Sequence, residues 1–255
     1  MNDNPTRIGF SSQFDKDLVH RMSDLMLDSN LPLDELMELW PLFTRRVQFL
    51  KTIALIEVFK ETIELPGSVV ECGVFKGQSL GLFCKLLETF CPGDSLKRIV
   101  GFDTFEGFVS LHEEDGPPDT SRAKTIGGWN SIDFLPTLQK SLELMQDDSY
   151  LPRLKRVELI KGDVQETIPK FVQENPGFRI SLLNLDLDLY EPTKVALEFL
   201  YPLVVPGGVV ILDEYAMPGF PGESRAFEDY FGSSAPILKK FSFTPTPGGY
   251  FAKKI

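Results

Sequence analysis

The hydrophobic pattern changes character at Pro66-Gly67. Upstream, apolar residues recur at helical spacing in "FDKDLVHRMSDLM", in "PLDELMELWPLF" and in "TRRVQFLKTIALIEVFKETIEL", where Val47, Leu50, Ile53, Ala54, Ile56 and Val58 share one stripe. This predicts helices and no strand over residues 1–66. Downstream, short β-branched runs alternate with helix-length segments, as in a parallel sheet joined by crossover helices. The runs that read as buried strands are "SVVEC" (68–72), "RIVGFD" (98–103), "VELIKGD" (157–163), "ISLLNLD" (180–186) and "VVILDE" (209–214). Helices between them include "SLGLFCKLLETF", "VQETIPKFVQE" and "PTKVALEFLYPLV". Near the end, "ILKKFSFTP" and "GGYFAKK" lie too close for a crossover and read as an antiparallel hairpin around "TPTPGG". The connection over 104–132 is long and broken by Gly and Pro, which marks it as a substrate lid.

The expected organisation is therefore a helical extension at 1–66 and one α/β domain at 67–255. With 255 residues, 42% hydrophobic and 25% charged, the chain can bury one large core. No apolar run approaches the roughly 18 residues of a membrane helix. The opening "MNDNPTRIGF" lacks the order of a signal peptide, so the expectation is a cytoplasmic protein without membrane contact. A net charge of −11 opposes a polyanion and favours a small-molecule substrate over nucleic acid. Cys72, Cys84 and Cys91 have neither zinc spacing nor an even count, and read as reduced, packed thiols.

In an open parallel sheet, ligands bind beyond the carboxyl ends of the strands. Here those ends are acidic: Glu71, Asp103, Asp163, Asp186 with Asp188, and Asp213 with Glu214. One such residue is often a helix cap, whereas a succession of them points to a binding crevice. In "ECGVFKGQS", Gly73 and Gly77 let the backbone approach a ligand, and Ser79 closes the turn into the next helix. This is not the G-x-G-x-x-G fingerprint of dinucleotide binding. Asp103 stands where a carboxylate can accept both hydroxyls of a ribose, which favours a nucleoside-containing cofactor. Asp163 either meets an adenine amino group or caps the following helix. Tyr190 and Lys194 match the Y-x-x-x-K of short-chain dehydrogenases, but Pro192 lies between them and the Gly-rich nicotinamide loop is missing.

The segments "VVECGVFKGQS", "GFDTFEGF", "LNLDLDLYEPTKVALEFLYPLVVPGGVVILDEY" and "GESRAFEDYF", spread over residues 67–232, resemble the sugar O-methyltransferases that act on macrocin, mycinamicin and novobiocin precursors. The resemblance implies a Rossmann-like class I methyltransferase: a mostly parallel seven-stranded sheet, a C-terminal antiparallel hairpin and an N-terminal helical extension. It implies S-adenosylmethionine as cofactor, surrounded by Glu71, Gly73, Gly77, Ser79, Asp103, Phe105 and Asp163. It also implies Mg²⁺ held by Asp186, Asp213 and Glu214, the last pair reading "DE" where relatives carry "DD". Three carboxylates from two adjacent strands would leave metal positions for a substrate diol. Asp188 then supports the metal site or orients the substrate. The candidate catalytic bases are His112, Asp186 and Asp188. A sugar-like acceptor and a homo-oligomer, dimer or tetramer, are further implications, with the N-terminal segment over the cofactor mouth or at a subunit contact. A related metal-site enzyme of the same fold, such as an antibiotic-pathway hydroxylase, and a non-catalytic interaction protein are the rival readings. Binding of S-adenosylmethionine separates them.

Overall fold

The computed structural model describes residues 13–254; residues 1–12 and 255, including the opening segment "MNDNPTRIGF", lie outside it. Four helices come first: α1 (Gln13–Asp28), α2 (Leu33–Glu38), α3 (Trp40–Phe43) and α4 (Arg46–Lys60). The run "PLDELMELWPLF" splits into α2 and α3 because Pro41 cannot continue a helix from its preceding turn and instead opens a new one. Only α4 carries fully buried positions, Ala54, Leu55, Val58 and Phe59, among these described helices.

The strands are β1 (Ser68–Cys72), β2 (Ile99–Asp103), β3 (Val157–Lys161), β4 (Ile180–Leu185), β5 (Val204–Leu212) and β6 (Gly249–Ala252). Between them lie α5 (Gln78–Phe90), α6 (Leu135–Asp147), α7 (Val164–Glu174), α8 (Tyr190–Leu200) and α9 (Pro221–Phe231). The order across the sheet is β3-β2-β1-β4-β5-β6, parallel except for β6. The predicted parallel sheet with an antiparallel end is present, although the described residues form six strands, not seven. The outer arm of the predicted hairpin contributes a single bridge, Lys239 to Tyr250. The chain turns away at Ser242–Phe243, and Pro245 and Pro247 have no N–H to offer a ladder. Helices α6 and α9 add to those predicted from the apolar pattern.

Alternation along the strands builds two cores. Val70, Cys72, Val100, Phe102, Leu183, Leu185 and Val210 face α7, α8 and α9, while Val69, Ile99, Leu182 and Val209 face α4, α5 and α6. The thiols of Cys72, Cys84 and Cys91 are free and buried, and burial pushes that of Cys84 up to about 12.

One buried cation fastens α4 to the sheet. Lys97, 2% exposed, donates to the Thr62 carbonyl at 3.2 Å, the Leu65 carbonyl at 3.0 Å and Ser181 Oγ at 2.9 Å. It thereby ties the α4–β1 connection to β4. Lys97→Met would leave these buried acceptors without their donor, with an expected loss of about 2–4 kcal/mol. Urea unfolding of the variant checks this.

Candidate active site

Strand order reverses between β1 and β4, and the site lies at their carboxyl ends. The backbones there are in direct contact. The Asp186 N–H donates to the Cys72 carbonyl at 2.9 Å, and the Asp213 N–H to the Leu185 carbonyl at 3.0 Å. Gly73 has φ +93°, and a Cβ on it would stand 1.7 Å from the Asp186 carbonyl oxygen. Only glycine fits, on both conformational and steric grounds. Above this contact opens a cavity of about 540 Å³ whose wall includes Gly73, Ser79, Asp103, Asp163, Asp186, Asp188, Asp213 and Glu214. Helix α4 supplies Gln48, Lys51, Thr52 and Leu55, and the insert after β2 supplies Gly107, Phe108, Val109, Ser110 and Trp129.

At one end Asp103 is held by the turns around it. Its Oδ2 accepts from the Phe75 N–H at 2.7 Å and its Oδ1 from the Phe105 N–H at 2.6 Å. Burial raises this carboxyl's pKa and those N–H groups pull it down. Phe75 and Phe105 pay for this with left-handed backbones, φ +51° and +59°. Asp163 Oδ1 accepts from the Gln165 N–H at 2.9 Å, so it caps α7 while also lining the cavity.

Glu71, Gly77 and Phe105, expected around the cofactor, are not in the cavity wall. Phe105 is fully buried, and a Cβ on Gly77 would meet the Leu138 side chain of α6. Glu71 is fully buried opposite its register partner Asn184 on β4. Its Oε1 accepts from Asn184 Nδ2 at 3.0 Å and from the Ser79 hydroxyl, while Oε2 has no partner. Burial, against the opposing pull of Ser79, pushes this carboxyl up to about 8.

The other end is a cluster of carboxylates. Oxygens of Asp186, Asp188 and Glu214 lie within 4.8 Å of one another. Asp188 takes part through a left-handed backbone, φ +64°, a conformation Asp tolerates better than most residues. Asp213 is engaged differently: its Oδ2 lies 2.8 Å from Lys51 Nζ, which is also 3.1 Å from Asp186 Oδ2. Behind them Glu223 of α9, fully buried, accepts from the Glu214 N–H at 2.9 Å. Asp213 Oδ1, Glu214 Oε2 and Glu223 Oε2 are buried without hydrogen-bond partners.

Burial first, then mutual repulsion, pushes Asp186 up to about 6 and Asp188 up to about 8, and holds Glu214 and Glu223 well above the carboxylate range. Lys51 shows the converse. Burial lowers its pKa, but Asp186, Asp213 and Glu214 outweigh that and leave it well above its ordinary value. Hard oxygens with unmet bonding capacity in a crowded anionic pocket suit a divalent cation such as Mg²⁺.

His112 is not brought to this cluster. Its ring stacks on Tyr190 at 4.7 Å, and its Nδ1 accepts from the Glu114 N–H at 3.2 Å. Tyr190 and Lys194 are equally remote from dehydrogenase chemistry: the Tyr190 hydroxyl donates to Asp229 Oδ2 at 2.9 Å, with Lys194 over its ring. The expected lid is pinned at its middle. Buried Asp115 accepts from the N–H groups of Tyr190 and His112, each at 2.7 Å, and buried Lys124 donates to the carbonyls of Asp115 and Gly219 at 2.8 and 2.9 Å.

A glycine turn after β1, a carboxylate after β2 and an antiparallel closing strand define a Rossmann-like methyltransferase domain. The family model "Macrocin-O-methyltransferase (TylF)" matches residues 42–239. A tetracenomycin 4'-O-methyltransferase of Streptomyces olivaceus is 29% identical over 201 residues, 78% of this chain and 73% of that enzyme. A crystal structure of a calicheamicin methyltransferase superposes with a TM-score of 0.89 at 30% identity, covering 99% of this chain and 97% of its own. An apo structure of a TDP-rhamnose 3'-O-methyltransferase of calicheamicin biosynthesis gives 0.79 at 31% identity over 95% of both chains. The chain belongs to the macrocin O-methyltransferase family and is an S-adenosylmethionine-dependent O-methyltransferase.

The buried Glu71 carboxyl gives this site a pH signature. Folded protein holds its proton up to pH about 8, whereas an unfolded chain releases it near ~4.3. Its contribution to stability is therefore complete at acid pH and is lost as pH rises across that interval. In Glu71→Gln, the decline of unfolding free energy between pH ~5 and ~8 should flatten by up to about 1.4 kcal/mol per pH unit, one proton's worth. Urea titrations of both proteins across that range measure the difference.

Proposed function

We propose that this chain methylates a hydroxyl of a sugar-like vicinal diol, with Mg²⁺ held at the carboxylate cluster. The observation that carries the reading is the continuity of the cavity, which joins Gly73, Asp103 and Asp163 to Asp186, Asp188, Asp213 and Glu214. The cofactor belongs at the first end and the acceptor at the second. When bound, S-adenosylmethionine supplies an electrophilic methyl group on sulfur, and the metal supplies positive charge that acidifies a coordinated hydroxyl. The relatives with tetracenomycin and calicheamicin names act, by those names, on rhamnosyl or TDP-rhamnose substrates, which supports a deoxysugar acceptor here.

Asp103 takes the ribose hydroxyls. Its two oxygens are oriented by backbone N–H groups, so the carboxylate is fixed before the ligand arrives. Gly73, which lines the cavity and whose backbone can lie against Asp186 only because it has no side chain, takes the methionine portion. Asp163 meets the adenine amino group with the oxygen not used for capping. Asp186 and Glu214 are common to the ligand set implied by the family and the cluster in the structure, with Asp213 completing it. Asp188 is the proposed base: it lines the cavity beside Asp186 and Glu214, where a hydroxyl held by the metal would lie. His112, stacked on Tyr190, positions the insert.

Calorimetry should detect binding of S-adenosylhomocysteine to the wild type, and Asp103→Ala should weaken it at least tenfold; no binding by the wild type would sink the cofactor placement. With labelled S-adenosylmethionine and a panel of deoxysugar and diol acceptors, Asp213→Ala or chelation should reduce methyl transfer about a hundredfold or more. Transfer that survives both treatments refutes the metal reading alone. Asp188→Asn should lower kcat by about 10²–10⁴-fold with KM little changed, and a change confined to KM would remove Asp188 from the role of base.

A further inference from the structure

The carboxylate cluster already has a cation of its own. Lys51 reaches it from α4, far away in sequence, with Nζ 2.8 Å from Asp213 Oδ2 and 3.1 Å from Asp186 Oδ2. Asp186 and Asp213 belong to the metal set that the family pattern implies. Among the described residues, Lys51 is the one cation paired with them. The remaining oxygens of the centre stay unpaired, Asp213 Oδ1 and Glu214 Oε2 among them, in residues 3% and 6% exposed. One ammonium therefore does not satisfy the cluster, but it occupies an oxygen on each of two predicted ligands.

We propose that Lys51 is the resident counter-ion of the active site, and that a divalent cation loads only by releasing it, which unties α4 from the carboxyl ends of β4 and β5. The inference rests on the metal reading above. Its reasoning is electrostatic and steric. A divalent ion drawing on Asp186 and Asp213 would share carboxylates that Lys51 already holds, and two positive charges a few ångströms apart repel strongly in a partly buried site. Lys51 also has somewhere to go. Its side chain is 25% exposed, and a flexible four-carbon stem lets the ammonium swing to solvent while the helix stays in place. Helix α4 is separately anchored by Leu55, Val58 and Phe59 in the core. Losing the ion pair therefore loosens its site-facing side and leaves its packed side in place.

Mn²⁺ serves as the probe, its free concentration read by electron paramagnetic resonance in titrations of the full chain. Lys51→Gln should bind Mn²⁺ at least tenfold more tightly than the wild type. Lys51→Arg, which keeps the charge, should stay close to the wild type, and so should Lys60→Gln, which removes a charge from the far end of the same helix. Independently of any variant, Mn²⁺ should speed amide hydrogen exchange within Arg46–Lys60 of the wild-type protein. Mn²⁺ binding by Lys51→Gln alone would mark Lys51 as an effective block and support the proposal. Equal or weaker binding by Lys51→Gln, or exchange in α4 unmoved by bound Mn²⁺, overturns it and leaves the metal reading intact. If neither wild type nor Lys51→Gln binds Mn²⁺, both fall together.

Discussion

Everything at this site follows from one close approach, the Gly73 backbone against the Asp186 carbonyl. It exists because β1 and β4 are neighbours in register, Cys72 beside Leu185, although more than a hundred residues of chain separate them. Parallel pairing sets both strand ends at one height. The turn proposed to take the cofactor and the carboxylate proposed to face the acceptor are then held together by backbone alone. A methyl donor and its acceptor must meet within a few ångströms along one line, and here that distance is written into the sheet instead of being left to mobile side chains.

The acidic wall shows what such a site costs. Asp186, Asp188, Asp213 and Glu214 crowd one end of the cavity and Glu223 lies behind them, and their repulsion adds to burial in raising the proton affinity of Asp186, Asp188, Glu214 and Glu223. Water relieves the repulsion only in part, because Asp213, Glu214 and Glu223 are buried. Positive charge must come from elsewhere, and α4 delivers some of it through Lys51. The N-terminal helices thereby become part of the electrostatics of a site whose carboxylates all come from the sheet domain.

Much of this was legible in the residues. Strand ends could be located because short apolar runs stop at charged residues, and Asp103, Asp186, Asp188, Asp213 and Glu214 all fall where those ends suggested. Lys51 was not legible: in "RVQFLKTIAL" it reads as the polar side of an amphipathic helix, and only the tertiary fold brings it to Asp213. Glu223 and Asp115 hide for the same reason, being carboxylates in polar segments that the fold buries. Glu71 is the converse case. Its place at the end of β1 looked exposed to ligand, yet the alternation of the strand turns it toward Asn184, away from the cavity.

The pin formed by Asp115 and Lys124 divides the insert into two spans, the first holding Gly107 to Ser110 and the second Trp129. The two spans are also laced to each other, the Phe108 N–H donating to the Gly128 carbonyl at 3.1 Å and the Gly127 N–H to the Phe108 carbonyl at 2.9 Å. A change of sequence in one is therefore felt by the other, so this side of the wall can be reshaped only by matched substitutions, while the carboxylates at the strand ends stay where the sheet puts them.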